Sequence, residues 1–189
     1  MVPPFILTMK KLLLIAMCII TLCGNAQSII SFQLTETGSF VSEEGKDFII
    51  VPFEGETAHQ IYQKLFVNAS ALYKNPSQVI SVVEDASISI RGYSQKITYT
   101  KFLLEKKWIS GFYNLNFQIK DGRVRVSAPI IDEIEEGTVK TRFSWTVEGW
   151  YKKGKPKEKA KERIELVEFN MNSLINAILG TTKTNTEEW

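Results

Sequence analysis

Tyr113-Asn114-Leu115-Asn116-Phe117-Gln118-Ile119-Lys120-Asp121-Gly122-Arg123-Val124-Arg125-Val126-Ser127-Ala128 alternates apolar and polar side chains on both sides of one Asp-Gly step. Successive side chains of a strand point to opposite faces, so each run buries one face and wets the other. Asp-Gly between two such runs predicts a two-residue hairpin turn. The register follows. Lys120 faces Arg123, Ile119 faces Val124, Phe117 faces Val126 and Leu115 faces Ala128, so apolar meets apolar throughout. A slip of one residue would turn every apolar side chain to the wrong face.

Working outward, Asp47 to Phe53 is a short β-branched and aromatic run that reads as a buried strand ending at Pro52. Thr57 and Gln60 form a capping box, and Ala58, Ile61, Leu65, Ala69 and Leu72 then recur at helical spacing until Pro76. Val79 to Val83, then Ile88 and Ile90 stopping near Gly92, then Ile97 to Leu104 read as three strands. Beyond the hairpin, Val139, Thr141, Phe143, Trp145 and Val147 alternate as one more strand, which places Trp145 in the core. Lys152 to Arg163 holds seven basic and two acidic residues and reads as a solvated loop or helix entry. Ile164, Val167, Met171, Leu174, Ile175 and Ile178 make a second helix, closed by Gly180. One stripe per helix and one face per strand imply an α+β domain of two layers. Both helices pack on one face of a curved antiparallel sheet, in the order strand–helix–antiparallel strands–helix.

Three phrases carry a resemblance: Phe53-Glu54-Gly55-Glu56-Thr57 into Ile61-Tyr62, Val83-Glu84-Asp85 before Ile88 to Gly92, and Tyr113 to Val126 around the turn. Over about residues 47–131 the chain resembles a large family of secreted, uncharacterised Gram-negative envelope proteins. The resemblance implies a TATA-binding-protein-like fold and brings no catalytic residue with it.

The N-terminus points to export. Met9-Lys10-Lys11 precedes 11 residues without a charge, Leu12 to Leu22, and then Cys23-Gly24-Asn25-Ala26-Gln27. A basic start, an apolar stretch and small residues three and one before a cut make a secretory signal peptide, with cleavage expected after Ala26. The stretch is shorter than the roughly 20 residues that span a bilayer as a helix. Residues 27–46 are expected as an N-terminal arm or edge strand, 47–180 as a single domain and 181–189 as a frayed tail. Cys18 and Cys23 fall inside the signal, so the exported chain has no thiol and must be held by its core alone.

Charge and residue types exclude more than they reveal. Residues 27–189 carry 21 basic and 21 acidic side chains, so the exported chain is neutral, unlike a domain built to coat nucleic acid. With one histidine, His59, and no cysteine after cleavage, zinc, copper and haem sites made of His or Cys clusters are excluded and no cofactor is expected. Gly149 to Lys155 has P-loop spacing, but Pro156 stands where a magnesium-binding hydroxyl is needed. Asp132-Glu133-Ile134-Glu135-Glu136 lacks calcium-loop spacing and reads as a solvated turn. Trp108, near a bend before Gly111, is the tryptophan whose exposure the sequence leaves open.

What remains is a surface. The hairpin's polar face presents Lys120, Arg123 and Arg125, and the strand expected after it adds Lys140 and Arg142. Asn114, Asn116, Gln118 and Ser127 lie among them, so this face is the candidate site for an anionic group such as a lipid headgroup or acidic glycan. The sequence therefore favours an exported, periplasmic or secreted, non-enzymatic binding domain of the cell envelope, its partner an envelope protein or an anionic ligand. The alternative is a small hydrolase of envelope or other polysaccharides using a carboxylate pair. A concave pocket with two convergent carboxylates would favour the hydrolase, and an exposed sheet face would favour binding.

Overall fold

The computed structural model describes residues 29–102 and 105–181. The expected signal peptide, and all of the expected frayed tail except Thr181, lie outside the described residues. In chain order the elements are β1 (Phe32–Leu34), β2 (Phe40–Ser42), β3 (Phe48–Pro52), α1 (Ala58–Ala71), α2 (Pro76–Val79), β4 (Ile80–Val83), β5 (Ser87–Phe102), β6 (Glu105–Lys120), β7 (Arg123–Ser127), β8 (Ile130–Glu136), β9 (Val139–Arg142), α3 (Phe143–Glu148), β10 (Tyr151–Lys152), β11 (Lys155–Pro156) and α4 (Lys161–Leu179). One antiparallel sheet runs β3-β7-β6-β5-β4, and β8 continues along the β7 side of β6 and pairs with β9.

The hairpin forms in the expected register, with Phe117 opposite Val126, Ile119 opposite Val124 and Lys120 opposite Arg123. The fourth expected pair, Leu115 with Ala128, is absent because β7 ends at Ser127 and the Ala128 amide donates to Asp47 instead, at 2.8 Å. The turn also reaches beyond itself. Gly122, at φ +72°, accepts from the Phe53 amide, and Asp121 Oδ1 accepts from the Ala58 amide at 2.7 Å. Together with the Thr57–Gln60 capping box, that contact satisfies first-turn amides of α1 that the helix itself cannot.

The odd-numbered residues of β6 from Ile109 to Ile119 are buried on the helix side. Leu115 and Phe117 meet Ile61 and Leu65 of α1 and Val167, Met171 and Ile175 of α4 in a single core. Each such side chain, fully buried, stabilises the fold by about 1.5–3 kcal/mol. At this chain length such a core can hold the domain together by itself.

Four expectations need correcting. Gly92 does not stop a strand: β5 runs through it, with a bulge between Ser94 and Thr98 that unites two of the expected strands. The glycine is there for room, since a Cβ would sit 2.2 Å from Cζ of Tyr113. Asp132 to Glu136 is not a turn but most of β8, burying Ile131 and Ile134. A bulge opposite Gly111–Tyr113 spaces those two isoleucines by three and hides the alternation.

The run from Val139 to Val147 is a strand only to Arg142 and then turns into α3. Phe143 and Val147 stand four apart, so they share a helix face as well as they would share a strand face, and both are buried. Trp145 is turned out by the same geometry and is 63% exposed rather than in the core. The solvated stretch from Lys152 to Arg163 contains the turn and second strand of the β10–β11 hairpin and a 3-10 turn before α4.

The arm is ordered, but not as an edge of the main sheet. β1 pairs with β2, a strand the sequence reading lacked, and lies along α4. Asn176 and Asn172 each accept a backbone N–H and donate to a backbone carbonyl, of Ile30 and Phe32 respectively, at 2.8–2.9 Å. Glu168, one further turn back, accepts from the Leu34 amide at 2.7 Å. Side chains four apart on a helix thus match strand residues two apart, and Ile30, Phe32 and Leu34 enter the core between them.

Candidate functional site

The sheet face away from the helices is open, and its chemistry follows from which strands are neighbours. At the hairpin end, β6, β7 and β3 place Gln118, Lys120, Arg123, Arg125 and Ile50 around a shallow concavity of ≈ 180 Å³. That is room for about six waters at ~30 Å³ each, enough for one small oxyanion. Arg125 lies with its guanidinium 4.3 Å from the centroid of the Phe48 ring and donates to Gln118 Oε1 at 3.3 Å. No carboxylate pairs with Lys120, Arg123 or Arg125 among the described residues. Asp121, the one acid beside them in sequence, is turned to the α1 amide.

Lys140 and Arg142 are not part of this group. β9 pairs with β8, which meets β6 at Ser110–Asn114, whereas β7 meets it at Phe117–Lys120. At about 3.3 Å per residue the two cation sets stand on the order of 20 Å apart along the sheet. Lys140 is bonded to Glu135 at 2.9 Å, and that bond holds the Glu135 carboxyl below the usual carboxylate range and the lysine above its own. Arg142 stacks over Trp145, 5.4 Å from its centroid.

The amides between are mostly satisfied internally, Asn114 by Asp132 and Asn116 by Ser89, each at 2.7 Å. Missing from the sequence reading were Phe48 and Ile50, which frame Arg125 only because β3 pairs with β7 across more than 70 residues of chain.

One further group could hold a metal. His59, Glu84 and Asp85 bring ligand atoms within 4.8 Å of one another at the surface. His59 is already hydrogen-bonded on both ring nitrogens, to Asp85 at 2.9 Å and Gln63 at 2.8 Å. No helix among the described residues is long and apolar enough to cross a membrane.

No protein-family profile and no curated protein matches this sequence. Solved structures do. A DUF4468 family protein from Bacteroides ovatus aligns at a TM-score of 0.49 and 15% identity, over 87% of this chain and 95% of that one. A TBP-like protein from Parabacteroides distasonis aligns at 0.51 and 12% identity, over 71% of this chain and 89% of its own. The fold is TBP-like. At 12% identity the likeness is one of fold alone, so the TBP-like sheet is a scaffold here and function is argued from the side chains on it.

Proposed function

We propose that this chain is an exported, non-enzymatic binding domain of the cell envelope that captures an anionic group at the hairpin end of its open sheet face. The observation that carries the reading is the convergence of Lys120, Arg123 and Arg125 on one concavity, with no carboxylate partner among the described residues. Elsewhere among the described residues, lysines do find acids, at Glu44, Glu56, Glu135, Glu158 and Glu162. Lys120 and Arg123 stand directly opposite each other across the hairpin, an arrangement that costs stability unless an anion shares it. Export rests on the signal-like segment from Met9 to Ala26, and the neutral mature composition argues against nucleic acid as the anion's source.

The test is a titration of the exported chain, residues 27–189, with inorganic phosphate and separately with phosphatidylglycerol-containing vesicles, read by amide NMR. Shifts confined to residues near 118–125 are expected, fading with added salt. Arg125→Glu changes the local charge by two units, each worth about 1 kcal/mol at ~4 Å in water, so binding should weaken by roughly tenfold or more. Response to phosphate alone identifies a soluble anion, and response to vesicles alone a headgroup. Silence of these residues toward both rejects the proposal.

A further inference from the structure

A second site lies beyond that reading, in a groove of ≈ 580 Å³ between the β1–β2 turn and α3. Glu36 and Thr37 form one wall, Ser144, Trp145 and Glu148 the other, and Tyr151 and Lys153 complete the lining. Its volume falls within the usual range of small-ligand sites, about 300–1,000 Å³.

The walls are fixed against one another. Gly38, at φ +81°, brings the β1–β2 turn so close to α3 that a Cβ there would lie 2.8 Å from Cα of Ser144. The Tyr151 hydroxyl donates to the Leu34 carbonyl at 2.6 Å, tying the β10–β11 hairpin to the arm. Lys153 and Gly154, at φ +52° and +74°, form the two-residue turn between β10 and β11, which sets Lys153 at the groove's edge.

The lining itself selects a ligand class. Glu36, Glu148 and Ser144 have no side-chain hydrogen-bond or salt-bridge partner among the described residues, so their donors and acceptors are available. An anion would meet Glu36 and Glu148. A cation would meet Lys153, and Arg142, which lies over the Trp145 ring, is not among the residues lining the groove. A purely apolar ligand would desolvate two carboxylates without bonding them. A neutral polyhydroxylated ring fits all of these: its C–H face lies on the exposed indole, and its hydroxyls donate to the carboxylates.

We propose that this groove binds a neutral oligosaccharide, with Trp145 as the stacking platform and Glu36, Glu148 and Ser144 as hydroxyl partners. Both carboxylates are exposed, whereas a glycosidase acid sits between apolar walls, so the groove is assigned binding and not cleavage.

The experiment titrates the exported chain with maltohexaose, cellohexaose and chitohexaose, following the Trp145 indole N–H and the Glu36 and Ser144 amides by NMR. At least one sugar should shift all three signals saturably by about 10 mM, a weak but specific affinity. Trp145→Ala should weaken that binding at least about tenfold, and Trp145→Phe, which keeps an aromatic face, by no more than about threefold. Trp145 is exposed, so both variants should melt with the parent, which separates lost binding from lost fold. Arg125→Glu should leave sugar binding unchanged, and high salt should not abolish it, so this site and the anion site fail or survive independently. Three silent signals with every sugar, or a Trp145→Ala protein that binds like the parent, would overturn the assignment.

Discussion

At one end of the open face Lys120, Arg123 and Arg125 stand without a paired acid among the described residues; at the other, Lys140 is matched by Glu135 and Arg142 is spread over an indole. The two ends belong to one sheet and hold similar numbers of cations. Their difference lies in the adjoining strands. β9 runs beside β8, whose open-face residues include Glu133 and Glu135 opposite Arg142 and Lys140. β7 runs beside β3, which places Phe48, Ile50 and Pro52 opposite Ser127, Arg125 and Arg123. An apolar neighbour leaves a guanidinium its charge and removes some of its water, whereas an acidic neighbour cancels it. Strand order, not composition, decides which of these cations stand beside acids.

The largest effect expected is on the core that supports both ends. Phe117 is fully buried directly opposite Val126, beneath the hairpin. Phe117→Ala should cost about 3–5 kcal/mol, a large part of the stability of a domain this size. A urea or thermal melt within a degree or two of the parent would show that the hairpin is not anchored as described. If the sheet is one unit, both ends should lose their NMR signature together.

A smaller change should reverse the comparison. Lys120→Glu replaces two like charges facing each other with an opposite pair, so the melt should rise by the equivalent of about 0.2–1 kcal/mol. The same substitution should remove phosphate binding, since it places a carboxylate in the concavity. Stability and binding then move in opposite directions, which an incidental surface charge would not produce. A destabilised Lys120→Glu protein would mean the two side chains do not meet across the strands.

How much of this was legible in the sequence depended on range. The hairpin, the capping box and the Gly180 stop are local patterns, and each formed where its spacing put it, the Leu115–Ala128 pair aside. β8 escaped because a bulge breaks its alternation, and α3 because Phe143 and Val147 satisfy both periods. Only burial in the finished fold separates those two readings, and it also moved Trp145 from expected core to the surface. The candidate site was half legible. Lys120, Arg123 and Arg125 share one hairpin and stayed together, whereas adding Lys140 and Arg142 assumed that β9 follows β7 in the sheet. β8 intervenes along the strand direction, and nothing local in the sequence reports strand order.

The smallest effect concerns pH at the paired end. The bond from Lys140 lowers the Glu135 carboxyl below its ordinary value of 4.5, and a weaker hydrogen bond from Tyr93 adds to it. A carboxyl held lower in the folded than in the unfolded chain favours folding when ionised. Its contribution is therefore present above about pH 4.5 and is lost as the pH falls through the lowered folded value. Glu135→Gln should reduce the urea midpoint slightly at pH 6, and the gap from the parent should close toward pH 3. Over the same range the Lys120→Glu protein should behave in the opposite sense to Glu135→Gln. Its new carboxylate, facing Arg123, adds a pair that acid removes, so its advantage over the parent should shrink on acidification. A Glu135→Gln gap that stays constant with pH would mean that Glu135 contributes by packing rather than by charge. In that case the ends of the sheet would differ in shape, and the pairing of cations would not be what separates them.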